Sequence, residues 1–192
     1  MKHLLVDVKC DSAQIKEKAL IELKNVCCQC KACELAKTRT SVVFSDGSAD
    51  AKIMLIGEAP GADEDAAGTP FVGRAGQLLN KFLEEAGIDR KTQLYICNTI
   101  KCRPPQNRVP SKEEKLACQG YLMGQISIVK PKIILLCGAT AVQSFVEQDF
   151  KISLIRGKWL NIFDDIEVMA IFHPSYRTGK PEMADEKRFG KR

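Results

Sequence analysis

Four cysteines crowd into the seven residues from Cys27 to Cys33, and Cys102 and Cys118 follow downstream. The crowded stretch contains two overlapping CxxC pairs, Cys27/Cys30 and Cys30/Cys33. A CxxC pair brings two thiolates to one metal, and two distant single cysteines can complete a four-sulfur site. Thiolate ligands suit both zinc and iron–sulfur clusters. Spacing alone therefore leaves zinc, an iron–sulfur cluster and a metal-free cysteine-rich turn as alternatives.

A second reactive segment is rich in glycine and acids and runs from Glu58 to Gly73. A carboxylate such as that of Glu58, placed directly after a strand, can orient water or act as a general base. Phe71 offers either a flat stacking surface or a plug for the core. The three acids at 63–65 predict a helix start or a solvated face, with a metal site as the alternative.

Asn98 opens a third segment, which extends to Lys112 and is basic and rich in proline. The Asn98 amide has one acceptor and two donors, so it can read the edge of a base or form a turn. The segment contains no acid, and its four basic residues predict a positively charged loop. They are Lys101, Arg103, Arg108 and Lys112.

The sequence His-Pro-Ser at 173–175 follows a fourth apolar run. A histidine in this position can stabilise an anionic leaving group or move a proton. The only other histidine, His3, lies at the start of the chain. His173 is therefore the candidate for proton chemistry.

The elements that position these groups are short apolar runs alternating with amphipathic stretches. Strands are predicted at 52–57, 94–98, 132–137 and 168–172, and helices at 12–27, 75–86, 112–129 and 139–147. This alternation predicts an α/β fold with a parallel sheet. Ligands bind at the carboxyl ends of such strands. The loops that leave those ends begin at Glu58, Asn98, Gly138 and His173.

Composition places limits on the class of protein. The chain has 192 residues, of which 45% are hydrophobic and 28% charged, so we expect one domain over 1–192, with an N-terminal helical segment at 1–29 and a basic, solvated tail at 177–192. No apolar run has the roughly 18 residues of a membrane span, and no signal peptide is visible. Nine cysteines without an export signal predict reduced thiols in the cytoplasm. Cys97 and Cys137 are expected to pack in the core.

Four motifs together carry a family resemblance. The sequence GEAPG at 57–61 with its continuation to Leu79, NTIKCRPPQNR at 98–108, HPS at 173–175 and the cysteines resemble the family 4 iron–sulfur enzymes of the uracil-DNA glycosylase superfamily. The resemblance implies a three-layer αβα sandwich around a central four-stranded parallel sheet. The family pattern C-x-x-C-x-L selects the pair Cys30/Cys33, because Leu35 lies two residues after Cys33. The resemblance implies that these cysteines hold a structural [4Fe–4S] cluster. The implied ligands are Cys30, Cys33, Cys102 and Cys118.

The resemblance also implies a mechanism in which uracil is flipped out of DNA and its N-glycosidic bond is hydrolysed. Phe71 would stack on the base and Asn98 would read its edge. His173 would stabilise the uracil anion, and Glu58 would position the attacking water, with Glu64 or Asp65 as the fallback. Better-known relatives carry an Asp where this chain has Ala59. Other residues implied to bind the base are Gly57, Ala59 and Ser175.

For the rest of the DNA, the resemblance implies that Arg103, Arg108 and Arg177 contact phosphates. It also implies that Tyr176 fills the space that the flipped base leaves in the DNA. The expected partner is uracil-containing DNA, single- or double-stranded, with a replication clamp or other repair proteins as further candidates. We expect a monomer that associates with the nucleoid when it acts. Two alternatives are a non-catalytic iron–sulfur binding module of the same fold and a phosphate-transferring enzyme that uses the acids at 63–65.

Overall fold

The computed structural model describes residues 13–146 and 151–178 of the chain. Within these ranges a six-stranded sheet forms the centre of the molecule, in the spatial order β1-β3-β2-β4-β6-β5. Its strands are β1 (Asp46–Gly47), β2 (Ile53–Gly57), β3 (Leu94–Asn98), β4 (Ile133–Cys137), β5 (Trp159–Leu160) and β6 (Glu167–Ile171).

The four predicted strands form the parallel centre of this sheet, as β3, β2, β4 and β6. The sheet has two strands more than the predicted central four-stranded parallel sheet, because β1 and β5 add short antiparallel strands at its two edges. Each edge strand has two residues, too few to show the alternation by which a strand is recognised in sequence.

Helices lie on both faces of the sheet. They are α1 (Ala13–Cys28), α2 (Ala62–Ala67), α3 (Arg74–Glu85), α4 (Lys112–Val129), α5 (Ala139–Gln143), α6 (Ile152–Ile155) and α7 (Ser175–Thr178). Short 3-10 turns occur at Glu34–Lys37 and Pro105–Asn107. Helix α4 begins with the predicted capping box, in which Ser111 Oγ accepts from the Glu114 amide and the Glu114 carboxylate accepts from the Ser111 amide.

Side chains that alternate along the strands build two apolar cores, one on each face. On one face Met54 and Ile56 pack with Leu122 and Ile126 of α4 and with Leu20 of α1. On the other face residues of β2 and β3 pack with α3. These are Leu55, Ile96, Leu79 and Leu83. The fold is an αβα sandwich, and Cys97 and Cys137 are buried in its cores as predicted.

Some expectations concern residues outside the described ranges. Residues 1–12 of the N-terminal segment, Glu147 at the end of the predicted fourth helix, and the tail beyond Thr178 belong to this group. Among the described helices, none has the length and apolar character that crossing a bilayer requires.

The central core predicts a clear stability contrast between two leucines. Leu136 on β4 is fully buried, and Leu136→Ala should lower the free energy of unfolding by about 2–5 kcal/mol through the cavity it leaves. The control Leu116→Ala removes the same atoms from an α4 residue that is 58% exposed, and it should change the free energy by less than about 0.5 kcal/mol. Urea denaturation measures both. Equal losses for the two variants would contradict the assigned core.

Candidate active site

A cleft of about 590 Å³ opens at the carboxyl edge of the sheet. Its walls come from the loops that leave β2, β3, β4 and β6, because the register of these parallel strands places their carboxyl ends side by side. Most of the predicted site residues line this cleft. They are Glu58, Ala59, Phe71, Asn98, Arg108, His173, Ser175 and Tyr176.

Gly57, the last residue of β2, lies next to Asn98 and Phe71, two residues that line the cleft. It pairs with Asn98 of the neighbouring strand. A Cβ added at Gly57 would overlap Asn98 Oδ1 and would come within 2.7 Å of Cζ of Phe71. Glycine is therefore required here so that the Asn98 amide and the Phe71 ring can reach the backbone of the first loop.

Asn98 is 2% exposed, and a buried polar network holds it in place. Its backbone carbonyl accepts a hydrogen bond of 2.6 Å from Lys101 Nζ, which also donates to Gln125 Oε1 at 2.5 Å. Gln125 Nε2 donates to the Phe44 carbonyl and to the Tyr95 hydroxyl. Lys101 is fully buried, so the prediction that it contributes to a positive loop was wrong.

Phe71 is buried but keeps one side of its ring in the wall of the cleft. Its φ of 53° lies in the left-handed region, where a bulky residue is strained by about 1–3 kcal/mol. The ring centre is 5.8 Å from that of His173, with 31° between the planes. Phe71 thus packs in the core, as one of its two alternatives predicts, and its ring also lines the cleft.

His173 follows β6, and its ring is oriented by Ser175. The Ser175 amide donates to Nδ1 at 3.2 Å, and the Ser175 hydroxyl lies 2.7 Å from the same atom. Burial lowers the pKa of His173 below its ordinary value, although the Glu58 and Glu64 carboxylates oppose this shift. Because Nδ1 accepts a hydrogen bond from an amide, the neutral ring carries its proton on Nε2. His173 is therefore a neutral donor.

The acids at 63–65 form the first turn of α2, which confirms the predicted helix start. The Glu64 carboxylate accepts hydrogen bonds from the amides of Gly61, Val72 and Gly73, at 2.8–3.0 Å. The Asp65 carboxylate, which is buried, accepts from the amides of residues 40 and 41. Both carboxylates hold loops together. Because Glu64 and Asp65 are engaged in this way, Glu58, which is half-buried in the cleft, is the better candidate for positioning a water molecule.

The cysteines predicted to bind a metal lie beside the cleft. Cys102 and Cys118 are buried, and they pack with Cys33 and with Ala59 of the first loop. Arg39 Nη1 donates to Cys102 Sγ at 3.2 Å, and Arg39 Nη2 donates to the Cys30 carbonyl at 2.9 Å. Arg39 therefore ties the segment after α1 to the loop after β3.

The other candidate ligands lie close enough to Cys102 and Cys118 to contribute to the raised pKa of these two thiols. Burial raises the pKa of Cys118 to about 11, with Cys102 and Cys33 adding to the shift. Among the residues that the structure describes, no three His, Cys, Asp or Glu side chains converge on a single metal ion. Each iron of a [4Fe–4S] cluster is bound by one cysteine. The four cysteine sulfurs would therefore surround the cluster and would not meet at one point.

Comparison with known proteins identifies the family. A family model described as the Uracil DNA glycosylase superfamily matches residues 44–192. The chain belongs to this superfamily. It is 46% identical over 149 residues to a type-4 uracil-DNA glycosylase of Thermotoga maritima, covering 77% of each chain. It is 39% identical over 164 residues to a type-4 uracil-DNA glycosylase of Archaeoglobus fulgidus, covering 82% of each chain. The resemblance to family 4 is thereby confirmed.

Two of the residues predicted to contact DNA, Arg108 and Tyr176, line the cleft in this superfamily member. The Tyr176 ring stacks on Phe172 with centres 4.5 Å apart and 10° between planes, and the Arg156 guanidinium lies 4.7 Å from the centre of the Phe172 ring. Sequence reasoning missed Phe172 as part of the site. Its position directly before His173 was the available signal.

Two of the arginines predicted to contact DNA have partners within the protein. Arg103 Nε donates to Asn107 Oδ1 at 2.8 Å. Arg108 forms a two-pronged ion pair with Glu114, with distances of 2.8 and 2.6 Å, and this pair lowers the pKa of Glu114. The Arg177 side chain lies outside the described part of the structure.

The burial of His173 predicts a low titration midpoint. Since burial lowers its pKa, the ring should stay neutral as the pH falls through 6.5 and should take up a proton only below that value. NMR of ¹⁵N-labelled histidine side chains follows the titration. The chain has two histidines, so His173→Gln assigns the signals and leaves His3 as the internal reference. A His173 midpoint at or above 6.5 would contradict the environment described.

Proposed function

We propose that this chain is a type-4 uracil-DNA glycosylase, which turns uracil out of DNA and hydrolyses its N-glycosidic bond, leaving an abasic site for base excision repair. The convergence of Glu58, Asn98 and His173 around the Phe71 ring in one cleft carries this proposal. Type-4 relatives that are 38–46% identical over most of the chain support it.

In this proposal Phe71 and Asn98 recognise the base. Uracil stacks on the cleft side of the Phe71 ring, and the Asn98 amide pairs with the hydrogen-bonding edge of the base. Backbone groups of Gly57 and Ala59 and the Ser175 region complete the enclosure. The polar network behind Asn98 supports this role, because an amide held by its backbone presents its donors and acceptor in one orientation.

Glu58 and His173 carry out the cleavage. Breaking the glycosidic bond develops negative charge on uracil and positive charge on the sugar. The Nε2–H of His173 donates to the uracil oxygen where negative charge appears, and a neutral ring needs no reorganisation to do so. Glu58 orients the attacking water and stabilises the cationic sugar. The Glu58 carboxylate lies near enough to His173 to oppose the lowering of the histidine pKa by burial, and this proximity supports a shared role for the two groups.

Residues on the rim bind the DNA strand. Tyr176, which is 43% exposed, is proposed to fill the space left by the flipped base. The stack of its ring on Phe172 holds the side chain in place. Arg103, Arg108 and Arg177 are proposed to contact phosphates. Glu114 supports this role for Arg108, since the ion pair orients a guanidinium that is 47% exposed.

We propose that Cys30, Cys33, Cys102 and Cys118 hold a [4Fe–4S] cluster. When bound, the cluster joins the segment after α1 to the loop after β3 and to α4. The Arg39 guanidinium supports the proposal, because a cationic donor beside Cys102 stabilises a thiolate. The described cysteines are free thiols, which suits a reducing cytoplasm. A single-domain monomer, nucleoid association and a repair or replication partner such as a clamp also remain proposals.

A uracil-release assay on labelled single-stranded and duplex DNA tests the function. His173→Gln should lower the rate about 10²–10³-fold through loss of the donor, and Glu58→Gln about 10²–10⁴-fold. Asn98→Ala should abolish release. The control Glu113→Gln changes an exposed carboxylate at the start of α4 and should retain full activity.

The same assay separates the alternatives. The proposed enzyme should release uracil in EDTA, whereas phosphate transfer assisted by the acids at 63–65 requires a divalent cation. A wild-type protein that binds DNA but releases no uracil would establish the non-catalytic binding module and would overturn the proposal.

The cluster proposal predicts about four irons for each chain and a brown protein. Cys118→Ser should lose most of the iron, because it removes a buried ligand. Cys28→Ser replaces an exposed cysteine of the same stretch, and it should keep the iron and the colour. Metal and sulfide analysis with visible absorbance provides the measurement. A colourless wild-type protein loaded with zinc would contradict the iron–sulfur cluster.

A further inference from the structure

Arg90 lies between α3 and β3, behind the wall of the cleft, and its guanidinium makes four hydrogen bonds. Nε donates to Asp46 Oδ2 at 2.9 Å, and Nη1 donates to Asn80 Oδ1 at 2.7 Å. The other two bonds reach consecutive backbone carbonyls, from Nη1 to Phe71 at 3.1 Å and from Nη2 to Pro70 at 2.6 Å. The side chain is 14% exposed. One partly buried cation thus holds the backbone at Phe71.

The backbone at Phe71 needs such support, because its left-handed conformation is unfavourable for an aromatic residue. On one side α3 presses against it, since a Cβ added at Gly76 would overlap the Phe71 carbonyl group. On the other side Arg90 binds that carbonyl. A strained conformation persists only where the surroundings determine it from several directions. The contacts of the Phe71 carbonyl with Gly76 and with Arg90 fix the strained conformation from two sides.

We propose that Arg90 is a positioning residue for base recognition: by holding the Pro70 and Phe71 carbonyls, it keeps the Phe71 ring in the orientation that stacks on the flipped base. The role of the ring in stacking rests on the proposed function, whereas the holding of the ring does not. A guanidinium presents several donors in a fixed plane and can serve two carbonyls and a carboxylate at once. Lysine cannot reproduce this arrangement.

The competing explanation is that Arg90 only forms an ion pair with Asp46. Lys91 separates the two explanations, because its Nζ binds the same carboxylate at 2.6 Å. Its only described ion pair is with that carboxylate, and no hydrogen bond joins it to the Phe71 backbone. Lys91→Gln removes a charge from Asp46 and leaves the loop intact. Arg90→Lys keeps a charge for Asp46 and removes the fork that binds the two carbonyls.

The first measurement follows the ring without using activity. Protein labelled with 4-fluorophenylalanine is studied by ¹⁹F NMR, and Phe71→Leu identifies the Phe71 signal among the eight phenylalanines. Arg90→Lys should shift or broaden this signal, and Lys91→Gln should leave it unchanged. Asp46→Asn, which removes the ion pair but keeps both carbonyl bonds, should move the signal less than Arg90→Lys. An unmoved signal in Arg90→Lys would overturn the positioning role.

The second measurement is steady-state uracil release. Arg90→Lys should raise KM and lower kcat/KM by about 10–100-fold, since small displacements of a positioning group have effects of this size, and Lys91→Gln should stay within about 2-fold. In the Phe71→Leu background, Arg90→Lys should cause little further loss. Losses that multiply in the double variant would refute coupling through Phe71. A wild-type protein without uracil release would refute the proposed function, while the ¹⁹F result would still decide whether Arg90 holds the ring.

Discussion

The site depends on the contact between the backbone of Gly57, the Asn98 amide and the Phe71 ring. Gly57 and Asn98 are paired across two parallel strands, so the first and second loops begin at the same level of the sheet. A side chain at Gly57 would occupy the space of both neighbours. The absence of a Cβ allows the Asn98 amide, which is proposed to read the base, and the Phe71 ring, which is proposed to stack on it, to meet at the end of a strand. His173 faces the same ring from β6.

Buried and partly buried polar side chains, and not regular secondary structure, hold the loops around this contact. Glu64 binds three loop amides, Asp65 binds two more, and Arg90 binds two carbonyls. Lys101 similarly binds the Asn98 carbonyl. A buried backbone group left without a partner costs about 1–3 kcal/mol, so each of these side chains replaces water that the closed loops exclude.

The cysteine region and the cleft share the same supports. Ala59, next to Glu58, packs against the buried cysteines, and Cys102 directly follows Lys101 of the Asn98 network. Gln125, which accepts from Lys101, lies on the same helix as Cys118. A cluster bound by these cysteines would brace the loops that present the reacting groups. This connection would give the proposed cluster a structural role separate from the hydrolysis.

Local pattern was sufficient to determine the central strands, the capping box at Ser111 and the placement of the reacting residues at strand ends, because each depends on neighbours within a few positions. The tertiary structure alone decided the burial of Lys101, the loop-holding role of Glu64 and the contacts of Arg90. The partners of Lys101 and Arg90 lie as many as 24 and 44 residues away. From the sequence alone, a lysine and an arginine are expected to lie on the solvated surface. Only the folded chain brings buried carbonyls and carboxylates within their reach, and an interior that excludes water makes those contacts necessary.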